Sequence, residues 1–144
     1  MAASVLFCHV VFASVWLGCV ITEALFERAL LAGDRSAHLL LVDLHVRVDL
    51  IVEIPAILIV VFTGVWLWLH SEPSGVAVYS MLIAGFVAIA ANAYCVYLVF
   101  KRKAAAHAGE WDEFDRLDHL QHKVGAIVLV GLLTALGAGL GGRI

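Results

Sequence analysis

Apolar positions in this chain fall into four long blocks. Residues 4–22 carry no charged side chain and one imidazole, His9; residues 50–69 are broken only by Glu53; residues 74–100 and 124–142 carry no charge at all. A helix needs about 20 such residues to cross roughly 30 Å of hydrocarbon. Backbone within lipid must satisfy its own hydrogen bonds, which makes each block a helix. The pattern predicts an all-α integral membrane protein, an up-down four-helix bundle forming one domain, with spans at about 4–22, 50–69, 76–100 and 124–142.

The helices are expected to outrun these spans. Helix one continues through Glu23 and Glu27 to a stop at Gly33. Arg35-Ser36 reads as a start, after which apolar periodicity runs from Leu39 to Leu69 with a kink at Pro55. Helix four begins near Trp111, and the basic, alanine-rich segment 101–109 is either a helix end or a short mobile loop. The first block is expected to be a retained helix: a secretory signal would need a positive leader, and Trp16 spoils the lipoprotein-like Leu17-Gly18-Cys19.

Charge then orients the bundle. Arg28, Arg35, Arg47, Lys101, Arg102, Lys103, Arg116 and Lys123 all lie on the side of the two long connections, whereas Arg143 alone lies opposite. The positive-inside rule puts those connections, and the helix extensions, in the cytoplasm of a cell with the protein in its inner (plasma) membrane, both termini outside. Trp66, Trp68 and Tyr79 suit an aromatic belt on the outer side.

Composition agrees with this reading. Of 144 residues, 63% are apolar and 15% charged, against about 45–50% apolar in soluble domains. That excludes a disordered chain and a basic nucleic-acid binder. Three cysteines (Cys8, Cys19, Cys95) sit in apolar runs with no metal or disulfide spacing and read as small buried hydrophobes. No nucleotide, phosphate or nucleophile motif is present.

The chemistry lies in how the polar residues fall on this topology. Glu23 and Glu27 share a face of helix one; His45, Asp49 and Glu53 step by four along helix two; Asp115, His119 and His122 share a face of helix four. All three stripes come to the cytoplasmic end, with Asn92 of helix three about two turns in. Glu53 lies inside the apolar run, where an isolated carboxylate costs at least ~2.5–3.5 kcal/mol, so it needs an inward partner. Without a cation the neighbouring carboxylates would also repel one another. Carboxylates and imidazoles on facing helices are how di-iron and di-manganese bundles hold metal. The expected ligands are Glu23, Glu27, His45, Asp49, Glu53, His119 and His122, around two divalent ions of iron, manganese or zinc, with Asn92 orienting one ligand. The plainer alternatives are salt bridges from Glu23 and Glu27 to Arg28, Arg47 or Lys123, and a polar network without metal.

Helix one reads HVVFASVWLG from His9 to Gly18, and helix two ends in TGVWLW from Thr63 to Trp68. His-x6-Trp-x-Gly in a first span resembles the copper-resistance-D (CopD) type of membrane protein and the HemJ-type protoporphyrinogen oxidases, four-span proteins of about this length. The resemblance implies a haem b ligand role for His9 in the HemJ case and copper handling in the CopD case; His70, which ends helix two on the same outer side, is placed to be the partner of His9 across a haem. Two features depart from it: the third span has no lysine, and the acidic stripes belong to neither group. The leading expectation is a metal-dependent redox protein drawing on a lipid-phase substrate such as a quinone. The alternatives are a haem b electron-transfer subunit, a divalent-metal or copper transporter, and an accessory subunit of a larger complex. The helix-four glycines serve close packing within the bundle or across a homodimer.

Overall fold

The computed structural model describes residues 1–70 and 74–141. Four helices make up the bundle: α1 (Ala2–Leu31), α2 (Arg35–His70), α3 (Val76–Ala108) and α4 (Trp111–Gly141). Their lengths of 30, 36, 33 and 31 residues correspond to about 45–54 Å at 1.5 Å per residue, well beyond the hydrocarbon thickness. Each holds a stretch long and apolar enough to span a bilayer. Phe7, Leu58, Phe62, Ile83, Phe86 and Val130 point outward, a surface that only lipid solvates. The chain is a multi-pass membrane protein. Gly142 and Arg143, invoked above for the last span and for the charge balance, lie outside the described residues.

The α1–α2 and α3–α4 connections lie at the same end, and both are short. Asp34 caps α2 by accepting hydrogen bonds from the Ser36 and Ala37 backbone N–H groups; the Ser36 hydroxyl foremost, and then these N–H groups, hold its carboxyl below the usual carboxylate range. Gly109 closes α3 in the left-handed region at φ 75°, and the Glu110 N–H returns to the Ala105 carbonyl at 2.9 Å, a glycine stop that a Cβ would strain. The segment 101–109 is therefore the end of a helix.

Within α2 the ladder changes. Residues Arg35–Val48 and Ile54–His70 are α-helical, but Asp49–Glu53 form a π-helical turn whose end is marked by the Ile54 N–H bonding to the Asp49 carbonyl. Pro55 follows at once. Its ring would clash with a carbonyl four residues back in a regular helix, and the widened turn relieves that clash. The expected disturbance at Pro55 thus takes the form of a wide turn just before it.

Two apolar layers stack along the bundle. Val42, Leu98, Ala105, Ala106, Phe114, Leu117 and Val124 pack near the connections. Trp16, Ala56, Ala88, Val128 and Leu132 pack deeper, toward the middle of the spans. The helix-four glycines divide by function. Gly131 faces α3 so closely that a Cβ would stand 3.0 Å from Ala88 Cβ and 3.1 Å from the Ala84 carbonyl oxygen, whereas Gly125, Gly137 and Gly141 face open space. Gly131→Leu should therefore lower stability by about 1–3 kcal/mol through overpacking, while Gly137→Ala should be nearly neutral; denaturant unfolding in detergent micelles followed by circular dichroism reads both.

Candidate metal centre

Between the two apolar layers lies a layer of polar side chains drawn from all four helices. Glu23 and Glu27 come from α1; His45, Asp49 and Glu53 from α2; Asn92 and Arg102 from α3; Asp118 and Gln121 from α4. All nine are buried. The π turn helps to assemble them. Four residues of a regular α-helix overshoot a full circle by about 40°, so two such steps would carry Glu53 off the face that holds His45. A wider turn rotates less per residue and keeps His45, Asp49 and Glu53 inward.

Arg102 is the fixed charge of this layer. Its side chain is 0% exposed. Nη2 donates to Glu27 Oε1 at 2.7 Å and lies 3.0 Å from His45 Nδ1, and Nη1 pairs with Asp118. The guanidinium also lies over the Phe114 ring. His122 stands at the rim, with Nε2 3.5 Å from Glu27 Oε2 and Nδ1 3.4 Å from Asp118 Oδ2. Glu27 and Asp118 thus have a full cationic partner between them.

The other three carboxylates do not. Glu23, Asp49 and Glu53 have no lysine or arginine within 4.0 Å among the described residues. Glu23 Oε2 is 3.4 Å, and Asp49 Oδ1 3.9 Å, from His45 Nε2. Glu53 accepts from Asn92 Nδ2 at 3.0 Å, and Asn92 Oδ1 in turn accepts from Trp16 Nε1 at 3.3 Å. Asp49 Oδ2 is buried without any hydrogen-bond partner. Donor atoms of Glu23, His45 and Asp49 lie within 4.8 Å of one another, as do those of Cys19, Glu23 and Glu53. These groups have the donor types and spacing to hold a metal ion.

The two ring nitrogens of His45 face different surroundings. Nδ1 lies 3.1 Å from Glu27 Oε1 and Nε2 looks between Glu23 and Asp49. With the proton on Nδ1 and donated to Glu27, the Nε2 lone pair joins two carboxylates as a third ligand. A carboxylate on the far nitrogen of a metal-binding histidine fixes its tautomer and raises its basicity.

The sequence-predicted residues are therefore partly brought together. Glu23, Glu27, His45, Asp49 and Glu53 converge, and Asn92 holds Glu53. Helix four presents a different face from the one expected. Packing of Phe114, Leu117, Val124 and Val128 turns Asp118 and Gln121 inward, leaves His122 at the edge, and sends Asp115 and His119 to the outside. The spacing of those apolar residues was the signal that could have found Asp118 and Gln121. The salt-bridge partner of Glu27 is Arg102, while Arg28, Arg47 and Lys123 are exposed. Cys19 is more than a hydrophobe: its thiol donates to Glu23 Oε1 at 3.8 Å, so a cysteine does stand beside the carboxylates.

His9 lies elsewhere. Its Nδ1 is 2.9 Å from the Thr63 hydroxyl, and its Cε1 would be 3.2 Å from a Cβ at Gly64, so the two quoted motifs meet across α1 and α2. His70 stacks on Trp66 with ring centroids 4.3 Å apart and its Nδ1 is 2.9 Å from the Trp66 carbonyl oxygen.

Arg102→Met should destabilise the protein by about 3–5 kcal/mol, because Glu27 and Asp118 lose a buried counter-charge. Adding Glu27→Gln and Asp118→Asn should restore much of that loss. Unfolding midpoints in detergent for the single and triple variants provide the measurement.

Set beside known proteins, the chain matches no family model, no curated protein and no solved structure.

Proposed function

We propose that this protein is a membrane-embedded metalloprotein whose centre binds one divalent transition-metal ion through His45 Nε2, Glu23 and Asp49, with Glu53 and Cys19 in reach. The observation that carries this reading is the partnerless Asp49 Oδ2, on a residue 1% exposed, beside an imidazole nitrogen and two further carboxylates that lack a counter-charge. A buried carboxylate oxygen without a partner is costly, and a cation on that side removes the cost for all three acids at once. Glu27, held by Arg102, is the outer carboxylate that orients His45. Arg102 supplies the positive charge beside Glu27 and Asp118, which narrows the sequence expectation of two ions to one. Imidazole, carboxylate and a thiol within reach suit iron or zinc, and manganese through the oxygen ligands.

Binding is favoured over transit. Past Asn92 the bundle interior is packed with Trp16, Ala56, Ala88, Val128 and Leu132, and beyond them the His9–Thr63 pair offers a cation no carboxylate among the described residues. Of reactions at this depth, oxidation–reduction with a lipid-phase partner fits best, because the centre borders an apolar cleft that opens between α1 and α4. The charge of the connections supports a cytoplasmic location for the polar end, in an inner (plasma) membrane.

Elemental analysis of the detergent-purified protein should give close to one equivalent of iron, manganese or zinc per chain. Asp49→Asn and Glu23→Gln should each lose it, Glu27→Gln should weaken affinity by about 10–100-fold, and His119→Ala should leave it unchanged. Full metal content in the Asp49→Asn variant would overturn the assignment.

A further inference from the structure

The metal ligands occupy only the floor of the cavity above them. A cleft of about 390 Å³ runs from Glu23, His45, Asp49 and Glu53 out between α1 and α4, a size within the range of small-molecule sites. Its walls are small and aliphatic: Val20, Ile21, Ala24 and Leu25 on one side, Gly125, Ala126 and Leu129 on the other. Ile21, Leu25 and Ala126 are also exposed on the outer surface, so the mouth faces the same lipid as the rest of the spans. A molecule reaching the centre this way comes from the bilayer, and its body must be apolar.

Its head is defined by Gln121, which lines the cleft. The Gln121 amide nitrogen donates to Glu27 Oε1 at 3.3 Å. Glu27 can only accept, so the amide nitrogen faces it, 3.5 Å from His45 Nδ1, and the amide oxygen is the free end. Gln121 Oε1 is buried without a partner on a residue 5% exposed. An amide oxygen accepts, so the group that satisfies it is a hydrogen-bond donor. An anionic head such as a phosphate or carboxylate would meet Glu23, Glu27, Asp49 and Glu53 inside the cleft and is disfavoured there; Arg28, which also lines the cleft, stands exposed at its mouth with His122. An ammonium head would need the uncompensated carboxylates, which the metal takes in the reading above.

We infer that the cleft between α1 and α4 binds a lipid-phase hydroquinone, its ring between Ala24 and Gly125–Ala126 and one hydroxyl donating to Gln121 Oε1. This rests on the metal reading only for the choice of a neutral hydroxyl head over a cationic one. The cleft and the unpartnered Gln121 Oε1 do not depend on it.

The test uses the purified full chain in detergent micelles, with metal content measured on the same samples. Binding of a decyl-substituted hydroquinone is followed by isothermal titration, beside the corresponding quinone, which lacks hydroxyl donors, and decylammonium. Saturable binding of the hydroquinone, at least about tenfold tighter than of the quinone, is expected; such a ratio is what one buried hydrogen bond of about 1.4 kcal/mol supplies. Gly125→Leu projects a side chain into open space, since no atom stands within 4 Å of a Cβ there. It should abolish hydroquinone binding while metal content stays at the wild-type level. Ala24→Leu closes the opposite wall and serves if the first variant fails to fold.

Hydroquinone binding that survives both plugs, or equal binding of quinone and hydroquinone, overturns the inference. So does preferential binding of decylammonium, or no binding by metal-loaded protein. Hydroquinone binding by a protein that holds no metal would sustain the cleft and sink the metal centre, so the two failures are told apart.

Discussion

Five carboxylates, Glu23, Glu27, Asp49, Glu53 and Asp118, share one buried layer of the bundle with a single fully buried guanidinium. Like charges in a low dielectric repel strongly, and each carboxylate also gives up its hydration. Arg102 answers this for two of them by bonding Glu27 and Asp118 together and touching His45. The layer holds groups from all four helices, so the helices cannot rotate or slide without breaking it. That constraint fixes the register of the bundle in a way that apolar packing against lipid-like side chains does not.

The remaining three acids give the layer its chemical character. Arg102 divides the layer into a half that shares its positive charge, Glu27 and Asp118, and a half without a lysine or arginine, Glu23, Asp49 and Glu53. His45 stands on the boundary with one nitrogen toward each. The π turn at Asp49–Glu53 holds both acids of α2 on the inner face and lets Pro55 follow without a clash. The apolar layers above and below, with Trp16 and Phe114 fully buried, exclude water from the polar layer except by the side cleft. The same geometry that raises the cost of the carboxylates leaves Glu23, Asp49 and Glu53 without a lysine or arginine beside them.

Much of this arrangement was legible in the residues. Four long apolar blocks, three of them uncharged and one broken only by Glu53, mark the membrane helices, and the steps of four from Glu23 to Glu27 and from His45 to Asp49 place those pairs on common faces, whereas Glu53 keeps to its stripe because the turn before Pro55 widens. The stop at Gly33, the start at Arg35 and the start near Trp111 follow from cap chemistry. Helix four was read by its histidines, when its buried face is set by Phe114, Leu117, Val124 and Val128. A rotation of about 100°, one residue of helix, exchanges His119 and His122 for Asp118 and Gln121 on the inner face.

What local spacing could fix was therefore the helices, their ends and which side chains lie together on one helix. These depend on hydrogen bonds and side-chain contacts within a few residues. The identity of the partners across helices depends on rotation and axial register, which are settled by packing between distant segments. Arg102, read along the chain as one of three basic residues at a helix end, is buried because Glu27 lies 75 residues away on a facing helix. Cys19 likewise meets Glu23 within its own helix, but becomes part of a donor set only when Glu53 arrives from α2. The side cleft exists because α1 and α4 part beside the polar layer, a separation written in no single segment.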